Sequence, residues 1–103
     1  MLVSGFDWDD GNREKCHKHG VPIAEIEELF GSERLAVRPD PAHSREEERF
    51  QAIGATPQGR WVFLAFTLRE RGGERLIRPI SARYMHRKEV EHYGKEDPAA
   101  QER

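Results

Sequence analysis

Arg83, His86, Arg87, Glu89 and Tyr93 fall within the short stretch ISARYMHRKEVEHY, from Ile80 to Tyr93. A carboxylate, a phenol and two guanidinium groups gathered in one patch could grip a phosphate and move a proton beside it. If the stretch is helical, a step of about 100° per residue puts His86, Glu89 and Tyr93 in one narrow arc, and Ala82, Met85 and Val90 flank that arc. The apolar half must face the sheet, so Glu89 needs a cationic or hydrogen-bonding partner there. Arg83 and Arg87 line the neighbouring edge one turn apart. Two readings stay open: a salt bridge that pins the helix, or a phosphate site.

Three other clusters bear on chemistry. The segment KCHKHG holds Cys16, His17 and His19. A zinc site usually needs four ligands in paired spacing, and His43, His86 and His92 are too scattered to supply the second pair. The segment reads better as a basic helix end, with Lys18 and His19 placed near an anion. Gly59–Arg60 forms a turn into an apolar strand. From that rim Arg60 could join Arg83 in a two-pronged phosphate clamp, or it could satisfy a carboxylate of the acidic half. His43 lies in the loop PDPAHSREEERF, whose acidic run is a solvated face.

The elements needed to hold these groups follow from periodicity. LVSGFDW (Leu2–Trp8) reads as a first strand. DDGNREKCHKHG runs from acidic to basic, the order a helix dipole favours, with Gly20 as its stop. PIAEIEELFG is an amphipathic helix with Ile23, Ile26, Leu29 and Phe30 on one face and Pro22 in its first turn. Strands are expected at Arg34–Arg38, Arg49–Thr56, Arg60–Glu70 and Arg75–Ser81, the third being central and nearly all apolar. RGGE is a hairpin turn. Pro79 cannot donate to a ladder, which predicts an edge or an irregularity there. Ser81 is the expected N-cap of a closing helix from Ala82 to about Tyr93. The resulting class is α+β: one domain over residues 1–94, in the order β-α-α-β-β-β-β-α, with helices on one face of a mostly antiparallel sheet. Residues 95–103 are expected to be a flexible tail.

Composition sets the limits. With 36% hydrophobic and 35% charged residues, the chain can build only a thin core under a strongly solvated surface. No apolar run is long enough to cross a bilayer, the N-terminus lacks a signal-peptide pattern, and one cysteine excludes an internal disulfide; a cytoplasmic protein is expected. The net charge of −2 conceals an asymmetry. Residues 1–51 carry 7 Lys/Arg against 12 Asp/Glu, whereas residues 52–95 carry 9 against 4. A basic half can offer a phosphate-binding surface while the whole chain stays near neutral.

Taken together, FDWDDGNREKCHKHGV, DPAHSREEERFQAIG, GRWVFLAFTLRE and IRPISARYMHRKEVEHY resemble, in order and spacing, the BrnT family of toxins from type II toxin–antitoxin modules. Lys18-His19-Gly20-Val21 and Ile80-Ser81-Ala82-Arg83, with Glu89 and Tyr93, carry the most specific part. The resemblance implies a RelE-like fold and a ribonuclease that cleaves RNA without metal or cofactor and inhibits translation. It also implies a ribbon-helix-helix antitoxin of the BrnA kind, through which alone the complex would contact DNA, and no membrane partner. His19, Arg60, Arg83, Glu89 and Tyr93 are the implied catalytic candidates, with Glu89 or His19 as base and Tyr93 as acid or orienting group. Trp8, Lys18 and Arg87 are candidates for RNA binding. A non-catalytic module that pairs with an antitoxin-like protein, or holds RNA without cutting it, is the alternative; the low net charge keeps it open.

Overall fold

The structure is a computed structural model, and it describes residues 3–32 and 34–96. The elements are β1 (Gly5–Phe6), α1 (Asp10–His17), α2 (Ile23–Leu29), β2 (Ala36–Pro39), a 3-10 turn at Pro41–His43, β3 (Arg49–Ala55), β4 (Trp61–Arg71), β5 (Glu74–Tyr84) and α3 (Arg87–Glu96). The five strands form one sheet in the order β1-β5-β4-β3-β2, antiparallel except where β1 lies parallel to β5. This is the expected α+β class and order of elements.

Strand alternation sorts the sheet into two faces. Val62, Leu64 and Phe66 of β4 are fully buried, together with Ala52, Ile77 and Ala82 from its neighbours. Onto that face pack Cys16 of α1, Val21, and Ile26 and Leu29 of α2. Phe66 anchors an aromatic chain, with Phe30 edge-on at 5.3 Å, Phe50 stacked at 5.4 Å, and Phe6 edge-on to Phe30 at 5.6 Å. The Gly72-Gly73 turn joins β4 to β5 with φ of 58° and 80°, a pair of positive values that glycine adopts without strain.

The two N-terminal helices are tied down by polar contacts that a thin core needs. Asp9 caps α1: its carboxylate accepts the Asn12 N–H at 3.0 Å, and the Asn12 amide oxygen accepts the Asp9 N–H at 2.7 Å. The buried Asn12 amide nitrogen then donates to the carbonyls of Asp7 and Pro79, both at 2.9 Å, joining α1 to β5. Asn12→Ala keeps the Asp9 cap on the residue 12 N–H but removes the reciprocal half of the capping box and leaves two carbonyls without their donor. It should cost on the order of 2–3 kcal/mol in urea unfolding; a change below about 0.5 kcal/mol, the range of ordinary surface substitutions, would refute that role.

The chain end departs most from expectation. β5 does not stop at Ser81. It continues through Tyr84, pairing Ser81 with Ala65, Ala82 with Leu64, Arg83 with Phe63 and Tyr84 with Val62. A helix beginning at Ala82 would strip that length of β4 of its ladder partners, and unpaired backbone groups inside a sheet are costly. Ser81 is therefore an exposed strand residue and not a cap. Arg83 belongs to a strand, and the turn of helix expected between it and Arg87 does not exist. Pro79 does produce the expected irregularity: the register shifts between Ala65 and Phe66, opposite Ser81 and Pro79. α3 begins at Arg87 and extends through Glu96, past the expected boundary at 94; residues 97–103 lie outside the described residues. α3 also lies on the other face of the sheet from α1 and α2, since Tyr93 meets Trp61, a β4 residue of the opposite alternation, at 5.6 Å between ring centroids. The helices thus cover both faces, where one was expected.

Candidate functional site

The site on the α3 face is built around Arg83. Strand alternation aims its side chain at this face, beside its cross-strand neighbour Phe63, and the guanidinium lies 4.9 Å from the Phe63 ring centroid. From α3, Glu89 grips it in a two-pronged pair, Nη1 to Oε1 at 2.7 Å and Nη2 to Oε2 at 2.9 Å. Glu89 is the third residue of α3, and its Oε1 also accepts the backbone N–H of His86 at 2.9 Å. That reach-back is the carboxylate half of a capping box. The same side chain therefore starts the helix and clamps the strand arginine.

This arrangement answers the sequence question about Glu89. Its partner is Arg83, and the pair is only partly buried, at 39% and 35% side-chain exposure. The Arg83 pair, then the His86 N–H, pulls the Glu89 carboxyl down to about 2. Arg83 is in turn held more firmly protonated by Glu89. A carboxylate this acidic, with both oxygens engaged, is a weak proton acceptor near neutral pH. In this structure Glu89 is a clamp on Arg83. Arg83 keeps three N–H donors beyond the two that Glu89 takes.

A small cleft of about 140 Å³ adjoins the pair, lined by residues that include Arg38, Phe63, Met85, Glu89, His92 and Tyr93. His92 and Tyr93 lie three and four residues beyond Glu89, so one helix face carries all three toward the sheet. His92 and Arg38 were not singled out from the sequence as site residues. The i, i+3 spacing from Glu89 could have found His92. Arg38 needed the strand register, which sets its row beside Gln51; its Nε donates to the Gln51 amide oxygen at 2.7 Å. Arg87 opens α3 but is 92% exposed and pairs with Glu91 at 3.3 Å.

The remaining sequence candidates lie elsewhere. Arg60 does not meet Arg83. Its guanidinium lies 3.5 Å from the centroid of the Tyr84 ring. Tyr84 follows Arg83 in β5 and so faces the other way, where its hydroxyl donates to the Glu25 carboxylate of α2 at 3.0 and 3.1 Å. The clamp expected between Arg60 and Arg83 is absent because the two arginines stand on opposite faces of one sheet. Trp8 is half-buried against the core, its indole N–H donating to Glu27 at 3.0 Å, which makes it a packing residue on the α2 side. Lys18 ends α1 and His19 follows in the exposed turn closed by Gly20. Cys16 is wholly buried, and burial pushes its thiol up to about 11, so it is unsuited to act as a metal-binding thiolate. Among the described residues, no three His, Cys, Asp or Glu side chains gather as metal ligands. No helix among them is long and apolar enough to cross a membrane.

These features define a small α+β protein with a clamped, donor-rich arginine on a sheet face, beside a histidine and a tyrosine. Residues 8–89 match the family described as ribonuclease toxin, BrnT, of type II toxin-antitoxin system. The chain therefore belongs to the BrnT family, the ribonuclease toxins of two-component toxin–antitoxin modules. No curated protein matches it.

Proposed function

We propose that this chain is a toxin that cleaves RNA endonucleolytically in the cytoplasm, so inhibiting translation, and that a ribbon-helix-helix antitoxin neutralises it. The reaction is attack of a ribose 2′-hydroxyl on the adjacent phosphodiester, which needs donors for the charge that builds on phosphate and groups to move two protons. The observation that carries this reading is the Arg83–Glu89 clamp. It fixes a planar cation whose free donors suit phosphate oxygens, at little further loss of side-chain freedom. Tyr93 serves as acid or orienting group. His92 is the nearby side chain of the type best suited to accept a proton near neutral pH.

The test is incubation of the purified protein with single-stranded RNA, with and without a chelator. Cleavage in both conditions, leaving 2′,3′-cyclic phosphate and 5′-hydroxyl ends, is expected. RNA that is bound but left intact would instead make the chain a non-catalytic partner. Expression alone should arrest growth, and co-expression of the adjacent antitoxin should restore it.

A further inference from the structure

Arg60 is an exposed arginine whose backbone and guanidinium are both held by specific contacts. Its backbone is fixed by the β3–β4 turn: its carbonyl accepts the Thr56 N–H at 2.8 Å, and its own N–H donates to the Thr56 hydroxyl at 3.1 Å. Gly59 allows that turn with φ of 84°. The guanidinium lies against the Tyr84 ring at 3.5 Å, and Glu25 holds the ring through its hydroxyl. Burial, then the Glu25 hydrogen bond, raises the Tyr84 phenol, which stays a donor. Among the described residues Arg60 meets no carboxylate, and neither do Arg13, Arg38, Arg45 and Arg49; of these, Arg60 is the one set closely on a ring, at 3.5 Å from the Tyr84 centroid against 6.0 Å for Arg13 from Trp8. A guanidinium stacked on one face keeps its edge donors for a ligand, and fixing it in advance removes much of the ordering cost of binding.

We propose that Arg60, on its Tyr84–Glu25 platform, is a second phosphate subsite for the RNA strand, separate from the Arg83 site. The ligand is a backbone phosphate one or more nucleotides from the scissile bond. The neighbouring strand positions of Arg83 and Tyr84 favour this ligand. Side chains leaving adjacent residues toward opposite faces share one end of the sheet, so a single strand folded over that rim reaches both arginines. Arg60 therefore contributes binding rather than chemistry, and Tyr84 and Glu25 act as positioning residues. The inference rests on the RNA-cleaving reading.

The probe is a 2′-O-methyl single-stranded RNA, which lacks the attacking hydroxyl and cannot be cut. Its affinity would be measured at several salt concentrations. Arg60→Ala should weaken binding roughly tenfold and lower the slope of log affinity against log salt by about 0.7, the value of one phosphate contact on a single strand. Tyr84→Phe keeps the ring but loses its bond to Glu25 and should bind between the parent and Arg60→Ala, whereas Tyr84→Leu removes the platform and should resemble Arg60→Ala. Parental affinity and slope in Arg60→Ala would overturn the subsite, even if cleavage itself is confirmed. A reduced slope in a protein that proves unable to cleave RNA would uphold the subsite and refute only the catalytic reading. Arg60 is exposed and pairs with no carboxylate, so the variant should fold; its melting temperature checks this.

Discussion

Arg83→Ala should reduce RNA cleavage by about a hundredfold or more, with the loss in kcat, because the donors it removes matter most when charge builds on the phosphate. Arg83→Lys should recover only part of the rate, since an ammonium cannot offer a planar fork to Glu89 and phosphate together. A carboxyl titration separates this from simple unfolding. In the parent protein the Glu89 carboxyl titrates at about 2, against an ordinary value of 4.5. Without Arg83 it should move up toward the ordinary range, while the His86 N–H still holds it somewhat low. A lowered folded-state value contributes stability that is complete above the ordinary value and is lost as pH falls through about 2. The parent should therefore lose stability between those values, and Arg83→Ala should lose less over the same range. Full cleavage activity in Arg83→Ala would remove the site from the α3 face altogether.

Phe66→Ala should cost about 3–5 kcal/mol, the usual range for deleting a fully buried aromatic ring. Phe66 has no exposed surface, and two further rings, Phe30 and Phe50, pack directly on it. It sits on the central strand, so the cavity would open between α2 and the middle of the sheet. For a domain with a stability of roughly 5–15 kcal/mol, such a loss approaches unfolding at ordinary temperature. Urea titration should show a much lower midpoint with little change in slope. Phe66→Leu, which refills most of the volume, should lose far less. A loss under about 1 kcal/mol for the alanine variant would mean that the aromatic chain is not the core.

Much of the architecture was legible because its signals are local. The face of Ile23, Ile26, Leu29 and Phe30 follows from helical period alone, the Gly72-Gly73 turn from conformational freedom, and the break at Pro79 from its missing N–H. The start of the closing helix was not legible. Ser81-Ala82-Arg83 is locally as fit for a helix as for a strand, and the length of β4 decided between them by offering ladder partners as far as Tyr84. The pairing of Arg83 with Glu89 could be anticipated, since a carboxylate near an apolar stripe needs a cation. His92 was within reach of the i, i+3 spacing from Glu89, whereas Arg38 could not be placed before the strands were set in register.

What the amino-acid sequence determined by itself was composition-limited size, the order of elements, the need for a partner at Glu89, and the motifs shared with the BrnT toxins. What only the tertiary structure decided was which side chains stand together. In a strand, one residue's step reverses the direction of every side chain. Extending β5 past Ser81 set Arg83 and Tyr84 on opposite faces, with Glu89 of α3 meeting one and Glu25 of α2 the other. Arg60 went with Tyr84, and two arginines that spacing would group as one clamp became two separate positions.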